Sequence, residues 1–222
     1  VLWLRTGNEG ANQRLRTAAA QSGVSADRLI FAPGIAGHSN HIARMGVADL
    51  FLDTFPYGAH ATATDALSAG LPVLTVAGKS FATRVCASMV AAAGVPELIC
   101  SGPDEYIGRA IAYAHDRQRL ASVKASLQRQ HATCTLRDAP AFTRRLEELF
   151  WQMQGEAERG ETPVPDLRNL DLYYEIGANF VLADREFEDD FAYRRRYLEK
   201  LAEWHDYAPI ARDGRLWRDP PA

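Results

Sequence analysis

The stretch at residues 48–84 constrains the fold more than any other part of this sequence. It reads ADLFLDTFPYGAHATATDALSAGLPVLTVAGKSFATR. Its apolar run at 50–52 and the apolar segment at 71–76 each predict a buried strand. The small and hydroxylated residues between them predict a turn that opens a helix. The stretch is therefore expected to form a strand–helix–strand crossover.

The predicted turn, GAHATAT at residues 58–64, has the composition of an anion site. Free backbone N–H groups and the positive end of the helix dipole face outward at such a junction, so a phosphate group would fit there. The simpler interpretation is that Gly58 and Thr62 only cap the helix. The turn alone does not decide between a ligand site and a structural cap.

Predicted strands and helices alternate along the first two thirds of the chain. Strands are predicted at 1–5, 28–32 and 97–100, and helices at 12–21, 38–46, 81–93, 103–115, 117–131 and 139–155. This alternation predicts an α/β fold with a parallel, Rossmann-like sheet covered by helices on both faces. Ligands of such sheets bind at the carboxyl ends of the strands. The loops that begin at Pro33, Thr54 and Ala77 are expected to converge there on one crevice.

The helix at 139–155 is expected to bury one face, because its apolar residues recur at the spacing of a single helix stripe. These residues are Phe142, Leu146, Leu149 and Phe150. The turn-rich sequence GETPVP follows the helix. It predicts a linker at 159–165, which ends a first domain at 1–158 and precedes an appendage at 166–222.

The appendage is expected to be ordered and mainly helical, because its aromatic residues outnumber those of a disordered tail. They include Tyr173, Tyr174, Tyr193, Tyr197, Trp204 and Trp217, and an acidic run lies at 184–190. The three arginines at 194–196 could hold phosphate or acidic partner groups. A solvent-exposed helix face is the favoured interpretation of the triplet. The sequence assigns this segment no function.

Composition excludes several classes of protein. The 222 residues carry a formal net charge of −3 and no basic stripe, so no nucleic-acid partner is expected. No apolar run approaches the length of a bilayer span, so no membrane partner is expected. A hydrophobic content of 47% is enough for a core.

The cysteines indicate a reducing compartment. Cys86, Cys100 and Cys134 are isolated and lack CxxC spacing, so neither a zinc ribbon nor a disulfide framework is indicated. A cytoplasmic protein is therefore expected. The chain opens on the apolar sequence VLWLR without an initiator methionine, and it is expected to begin inside a domain.

Three motifs carry a resemblance to a known family. LDTFPY at 52–57, GAHATATDALSAGLPVLT at 58–75 and GKSFATRVCASM at 78–89 resemble the nucleotide-sugar-binding half of the protein O-linked N-acetylglucosamine transferases and their SPINDLY-type relatives. The likeness extends over residues 1–155. It departs at Ala61, where the family more often carries a second hydroxyl.

The resemblance implies that the chain is the C-terminal, donor-binding lobe of a GT-B glycosyltransferase. In that family the acceptor pocket and the candidate catalytic base lie upstream of the segment that resembles this chain. The tetratricopeptide helices that recruit protein acceptors lie further upstream. No catalytic base is therefore assigned to this chain, and protein acceptors are expected to bind through the upstream lobe and helical repeats.

The resemblance also implies which residues hold the nucleobase and so form the base end of the nucleotide site. His41 falls where the family places a residue against the uracil base, and Arg44 falls where a further base contact is made. Ala36 falls where backbone groups read the base edge. His38 stands where many relatives carry a lysine near the diphosphate, and an imidazole is only partly charged at neutral pH.

A diphosphate end is implied at the helix-opening turn. The resemblance gives His60 and Thr62, with the intervening Ala61, the contacts to the pyrophosphate. Negative charge grows on the diphosphate as the glycosidic bond breaks, so His60 and Thr62 would stabilise the leaving group. Asp65 matches the acidic residue that accepts hydrogen bonds from the ribose hydroxyls. The alternative for Asp65 is compensation of the helix dipole, worth under about 1 kcal/mol.

Two other motifs resemble ligand sites but are not predicted to form one. His38 and His41 are three residues apart and could share a metal, but no third ligand is evident, so no metal is predicted. The sequence Gly78-Lys79-Ser80 resembles the end of a P-loop. The earlier glycine of that motif is missing, because position 73 is valine.

Three functions follow from these residues. The first is inverting, metal-independent transfer of N-acetylglucosamine from UDP-GlcNAc, the donor substrate, to Ser or Thr hydroxyls of proteins, with no cofactor. The second is SPINDLY-like protein O-fucosylation from GDP-fucose, which LDTFPY favours and which His60 and Asp65 oppose. The third is a noncatalytic nucleotide-binding module.

Overall fold

A computed structural model of the chain describes residues 1–161, 169, 171, 172, 175 and 189–211. The strands are β1 (Leu2–Arg5), β2 (Leu29–Ala32), β3 (Phe51–Leu52), β4 (Val73–Val76) and β5 (Ile99–Cys100). The helices are α1 (Glu9–Gln21), α2 (His38–Met45), α3 (Ala61–Ser68), α4 (Phe81–Ala92), α5 (Pro103–His115), α6 (Arg117–Gln130), α7 (Ala139–Glu158) and α8 (Asp190–Tyr207). The strands and helices α1, α2 and α4–α7, for which bounds were predicted, lie within about three residues of those bounds.

The chain divides into two compact units, Val1–Val47 and Ala48–Ala222. In the first unit β1 and β2 pair in parallel, with Leu2 opposite Leu29. Helix α1 begins earlier than predicted, because the Asn8 side chain caps it by accepting a hydrogen bond from the N–H of Ala11 at 2.8 Å.

In the second unit three strands form a parallel sheet in the order β3-β4-β5. Phe51 lies opposite Val73, and Thr75 lies opposite Ile99. All four residues of the central strand β4 are buried, as expected for an apolar strand covered on both faces. The parallel α/β class is confirmed. In the described residues the strands lie in two sheets, whereas one continuous sheet was predicted.

Small residues let α3 and α4 approach β4 closely. Ala63 and Ala66 of α3 are fully buried, and α4 buries Cys86 and Val90. Gly70 ends α3 with a φ of +72°, a left-handed conformation that glycine adopts without strain. The chain then turns directly into β4, which brings the N-terminus of α3 to the carboxyl edge of the sheet.

The prediction of a buried face on α7 is wrong for this part of the chain. None of the described residues of α7 is buried, and the side chains of Phe142 and Phe150 are 67% and 57% exposed. Leu146 and Leu149 are exposed as well. Helical periodicity identifies an apolar stripe, but it does not supply the element that covers it.

Helix α8 confirms a helical appendage with its own small core. Leu201 is fully buried, and it packs against Leu172, Tyr197, Leu198, Trp204 and Ile210. Arg194 and Arg195 are exposed, as a solvent-exposed face requires, whereas Arg196 is half-buried. Most of the predicted linker, Tyr173, Tyr174, Trp217 and residues 184–188 of the acidic run lie outside the described residues.

No helix in the described ranges is both long and apolar enough to cross a bilayer. The predicted boundaries at 158 and 165 stay predictions.

Candidate functional site

The predicted anion turn lies at the carboxyl end of β3 and opens α3. His60 is the N-cap residue, and its side chain makes no capping hydrogen bond. The N–H of Thr64 donates to the carbonyl oxygen of His60 at 3.1 Å, which closes the first helical turn. The N–H groups at the start of α3 therefore receive no acceptor from the cap side chain, and they carry the positive end of the helix dipole.

Asp53, directly after β3, binds both ends of the loop at 54–59, which leads from β3 into this turn. Its side chain is buried, with the residue only 6% exposed. Oδ1 accepts hydrogen bonds from the N–H of Thr54 at 2.9 Å and from the N–H of Ala59 at 2.7 Å. Oδ2 accepts a hydrogen bond from the Thr75 hydroxyl on β4 at 2.7 Å. One carboxylate thus ties the first and last residues of the loop at 54–59 to the central strand.

Gly58 allows the loop after β4 to approach the turn closely. Its N–H donates to the carbonyl oxygen of Ala82 at 3.0 Å. A Cβ atom at this position would lie 3.2 Å from Oδ2 of Asp53 and 3.3 Å from the carbonyl oxygen of Ala82. Both contacts are tighter than ordinary van der Waals contact, so a side chain here would displace the Asp53 carboxylate or the Ala82 carbonyl by a few tenths of an ångström.

Tyr106 on α5 brings in a third element. Its hydroxyl donates to the backbone oxygen of Asp53 at 2.8 Å, and its ring meets Phe55 edge-on at 6.1 Å between centroids. Burial raises the pKa of the Tyr106 phenol above its usual value, and the Asp53 carboxylate adds to the shift. The phenol is therefore a protonated donor at neutral pH. The segments that follow β3, β4 and β5 all meet at Asp53 and Gly58.

His60 lies among aromatic rings with an unsatisfied nitrogen. Its imidazole stacks on Tyr57 at 5.2 Å between centroids, and Phe81 meets it edge-on at 5.7 Å. The Nε2 atom is buried, and it has no hydrogen-bond partner within the described part of the chain. Such a nitrogen costs about 1–3 kcal/mol, so its presence needs an explanation. A ligand with oxygen acceptors would supply the missing partner.

A cleft of about 450 Å³ opens at this turn. It is lined by Phe51, Thr54, Tyr57, Gly58, Ala59, His60, Ala61 and Thr62. The predicted diphosphate residues His60, Ala61 and Thr62 therefore share one surface. Asp65 lies one turn further along α3, is half-buried, and is not one of the residues that line the cleft.

Cys86 lies beneath the turn as a neutral thiol. Burial raises its pKa from 9.0 to about 12, and the charge of Asp53 adds to the shift. Burial also raises the pKa of the Cys100 thiol. All three cysteines are free and buried, and the described residues contain no cluster of metal-ligating side chains.

The residues of the predicted base end lie in the first unit. Arg44 donates from Nη1 to the carbonyl oxygen of Pro33 at 2.7 Å, and its guanidinium lies 5.5 Å from the centre of the Trp3 ring. Its Nη2 lies 3.4 Å from Nδ1 of His41. Arg44 thereby fixes the loop after β2 and orients the His41 ring.

Ala36 and His38 belong to the same loop and helix. The carbonyl oxygen of Ala36 accepts a hydrogen bond from the Asn40 side chain at 3.0 Å. His38 is the first residue of α2 and is exposed. Ala36 and His38 therefore lie at the start of α2, and Arg44 lies in its last turn, from which its side chain reaches the carbonyl oxygen of Pro33. Their nucleotide contacts, and their convergence with the turn at His60, stay predictions.

Sequence reasoning missed the residues that build the turn. Asp53 stands in the LDTFPY motif without an assigned role, although a carboxylate directly after a buried strand lies where ligands of parallel sheets bind. The sequence pattern identified Thr75 only as part of an apolar strand. Tyr106 lies 53 residues from Asp53, and no local pattern indicates their contact.

The motifs and the fold agree with comparisons to known proteins. The model of the family described as glycosyl transferase family 41 matches residues 1–146. The chain belongs to glycosyl transferase family 41. The resemblance carried by residues 52–89 is thereby confirmed.

Named relatives of this family 41 chain are glycosyltransferases. It is 34% identical over 164 residues to the probable UDP-N-acetylglucosamine–peptide N-acetylglucosaminyltransferase SEC of Arabidopsis thaliana, covering 73% of this chain and 17% of that protein. It is 30% identical over 169 residues to the UDP-N-acetylglucosamine–peptide N-acetylglucosaminyltransferase of Caenorhabditis elegans, covering 76% of this chain and 14% of that protein. The chain spans under a fifth of the length of these curated relatives.

A solved structure supports the same assignment. A mutant of the Thermobaculum terrenum O-GlcNAc transferase matches with a TM-score of 0.61 and 30% identity, covering 66% of this family 41 chain and 28% of that one. The predicted fold class, an α/β Rossmann-like lobe of the GT-B type, is confirmed.

Proposed function

We propose that this family 41 chain is the donor-binding lobe of a protein O-glycosyltransferase. In this proposal the complete enzyme transfers N-acetylglucosamine from UDP-GlcNAc to Ser or Thr hydroxyls of proteins, with inversion at the sugar carbon. The relatives named as UDP-N-acetylglucosamine–peptide transferases support the donor and the acceptor class. The three free, buried cysteines support a cytoplasmic enzyme.

One observation carries the proposal. The cleft at the carboxyl edge of β3-β4-β5 meets the N-terminus of α3, where the buried Nε2 of His60 lacks a partner within the described residues. A diphosphate offers several anionic oxygens to such a site. The helix dipole, the N–H groups of the first turn and the Thr62 hydroxyl would all interact favourably with them.

The chain's own residues would act mainly on the leaving group. As the bond to the sugar breaks, negative charge grows on UDP, and preformed donors at His60 and Thr62 would stabilise it without reorganising. Asp65 would accept hydrogen bonds from the ribose, and the residues at α2 would hold the base. These last residues are Ala36, His38, His41 and Arg44. The proton acceptor for the attacking hydroxyl would come from the upstream lobe, and the helical repeats would hold the protein acceptor.

We propose that no divalent metal takes part, because the hydrogen-bond donors and the helix dipole at this turn can stabilise the charge of the diphosphate. The test is calorimetric titration of the full chain with UDP, with and without EDTA. Equal affinity under both conditions is expected, and a large loss on chelation would contradict metal independence. GDP titrated in parallel tests the donor, because tighter binding of GDP than UDP would favour the GDP-fucose alternative.

A matched pair of variants tests the site itself. UDP is the leaving group, so its affinity reports the contacts that stabilise the departing diphosphate. Thr62→Val removes one hydroxyl donor and should weaken UDP binding by about fivefold, the scale of one neutral hydrogen bond. Thr143→Val alters an exposed helical threonine of α7 and should leave the affinity unchanged. Equal affinities for Thr62→Val and the unaltered chain would place the diphosphate elsewhere.

A further inference from the structure

The Asp53 carboxylate is buried, and three neutral groups within the described residues donate short hydrogen bonds to it. Burying a carboxylate is unfavourable unless hydrogen bonds replace its hydration. The donors are the N–H groups of Thr54 and Ala59 and the hydroxyl of Thr75, at 2.9, 2.7 and 2.7 Å. Two of these bonds go to the backbone of the loop at 54–59 that leads into the turn. These hydrogen bonds to the carboxylate therefore fix the shape of that segment.

The position of the turn decides where His60 lies. Ala59 directly precedes His60, and the N–H of Ala59 is bound to Oδ1 of Asp53. Without that bond, Ala59 and the adjoining His60 would be free to move away from β3. The His60 ring and the first N–H groups of α3 would then lose their alignment with the cleft. A shift of about 1 Å is enough to weaken a preorganised site substantially.

Two further residues support Asp53 from opposite sides. Thr75 is fully buried on the central strand, and its hydroxyl fixes Oδ2. The Tyr106 hydroxyl binds the backbone oxygen of Asp53 at 2.8 Å from α5. The carboxylate and the backbone of Asp53 are therefore each held by an element outside the turn.

We propose that Asp53 is the positioning residue of this site, and that Thr75 and Tyr106 hold it so that the turn presents His60 and the start of α3 to the nucleotide diphosphate. This inference rests on the proposed function, because it names the diphosphate as the group that the turn receives. Asp53 acts through Ala59 and its neighbours and does not touch the ligand.

The test uses two substitutions of Thr75 in the full chain. Thr75→Val preserves the shape of the side chain and removes the hydroxyl donor to Asp53, whereas Thr75→Ser keeps that donor. UDP affinity measured by calorimetry should fall about tenfold for Thr75→Val and stay within about twofold for Thr75→Ser. A cavity or stability effect alone would not distinguish them in this way, because serine removes a buried methyl group and keeps the hydroxyl.

Tyrosines on α5 supply a second matched pair. Tyr106→Phe removes the hydroxyl that binds Asp53 and should weaken UDP binding severalfold. Tyr113→Phe removes a hydroxyl from a buried tyrosine seven residues further along the same helix, and it should leave UDP affinity unchanged.

A double-mutant cycle tests whether Thr75 acts through the turn. If it does, the loss caused by Thr75→Val should be smaller in a Thr62→Val background, because the misplaced turn has one contact fewer to lose. Additive losses would mean that Thr75 acts independently of the turn and would overturn the inference. Amide hydrogen exchange should also become faster at residues 54–60 in Thr75→Val and not in Thr75→Ser.

The outcomes separate this inference from the proposed function. If the unaltered chain binds no UDP, the proposed function is wrong and the inference falls with it. If the unaltered chain binds UDP and Thr75→Val binds it equally well, the inference alone is overturned.

Discussion

His60→Phe should stabilise the fold while it weakens the nucleotide site. The substitution keeps an aromatic ring against Tyr57 and Phe81, which lie 5.2 and 5.7 Å from the imidazole centre. It removes the buried Nε2 atom, which has no partner in the described part of the chain. Relieving an unsatisfied polar atom is worth about 1–3 kcal/mol, and the slightly larger phenyl ring offsets part of that gain.

The expected net gain is about 1 kcal/mol, which raises the melting temperature of a chain of this size by about 2–4 °C. Urea and thermal unfolding without ligand measure this effect. In the same variant UDP affinity should fall by about tenfold, because a hydrogen bond to a charged phosphate is lost. Stability and binding therefore change in opposite directions.

His131→Phe is the matched control for stability. Its Nε2 lies 3.3 Å from the carbonyl oxygen of Ser68, and both histidines are half-buried. Removing a partnered nitrogen should lower the free energy of unfolding by about 1 kcal/mol, with UDP affinity unchanged. If His60→Phe destabilises the chain as much as His131→Phe does, the His60 nitrogen has a partner in the free protein and the reasoning is refuted.

Three further predictions follow from the site. In the complete enzyme, His60→Ala should lower kcat more than it raises the donor KM, whereas His41→Ala should raise the donor KM more than it lowers kcat. Steady-state kinetics at saturating acceptor peptide measure both constants. Equal changes of the two constants in both variants would contradict this prediction. Asp65→Asn should weaken UDP binding by about 1–2 kcal/mol with little change in melting temperature, and a lower melting temperature with intact binding would instead indicate dipole compensation. The Cys86 thiol keeps its proton in the folded chain up to a pKa of about 12, against 9.0 for an unperturbed thiol, so its contribution to stability is complete below pH 9 and is lost as the pH rises towards 12. Urea unfolding at pH 8 and 10 should therefore show a larger loss of stability for the unaltered chain than for Cys86→Ala, by up to about 1.4 kcal/mol per pH unit, and equal losses would argue against a raised pKa.

Local patterns were sufficient to predict the framework of the site. The apolar run before Pro33, the buried segment at β4 and the small residues at 58–64 each predict an element from neighbouring residues alone. The structure has these elements within about three residues of the predicted bounds. The turn at α3 could be predicted for the same reason, because helix-opening residues and anion-binding groups coincide in the chain.

Contacts between distant segments could not be predicted in this way. The bond between Tyr106 and Asp53 joins residues 53 positions apart, and the bond from Thr75 to Asp53 joins residues 22 positions apart. A hydroxyl inside an apolar strand gives no local sign of its partner. The exposed stripe of α7 shows the converse limit, because an amphipathic pattern predicts a buried face without specifying what buries it.

The central claim is that the N-terminus of α3 receives the diphosphate of UDP. Amide chemical shifts in a nitrogen-15 labelled chain, followed as UDP is added, test it most directly. The account predicts that the amide signals of Ala61, Thr62 and Ala63 shift strongly, and that the shifts saturate with the same affinity that calorimetry measures. In Thr62→Val the affinity should fall, and the shifted signals should still come from this segment. Saturating UDP binding that leaves the amides of these three residues unmoved would contradict it.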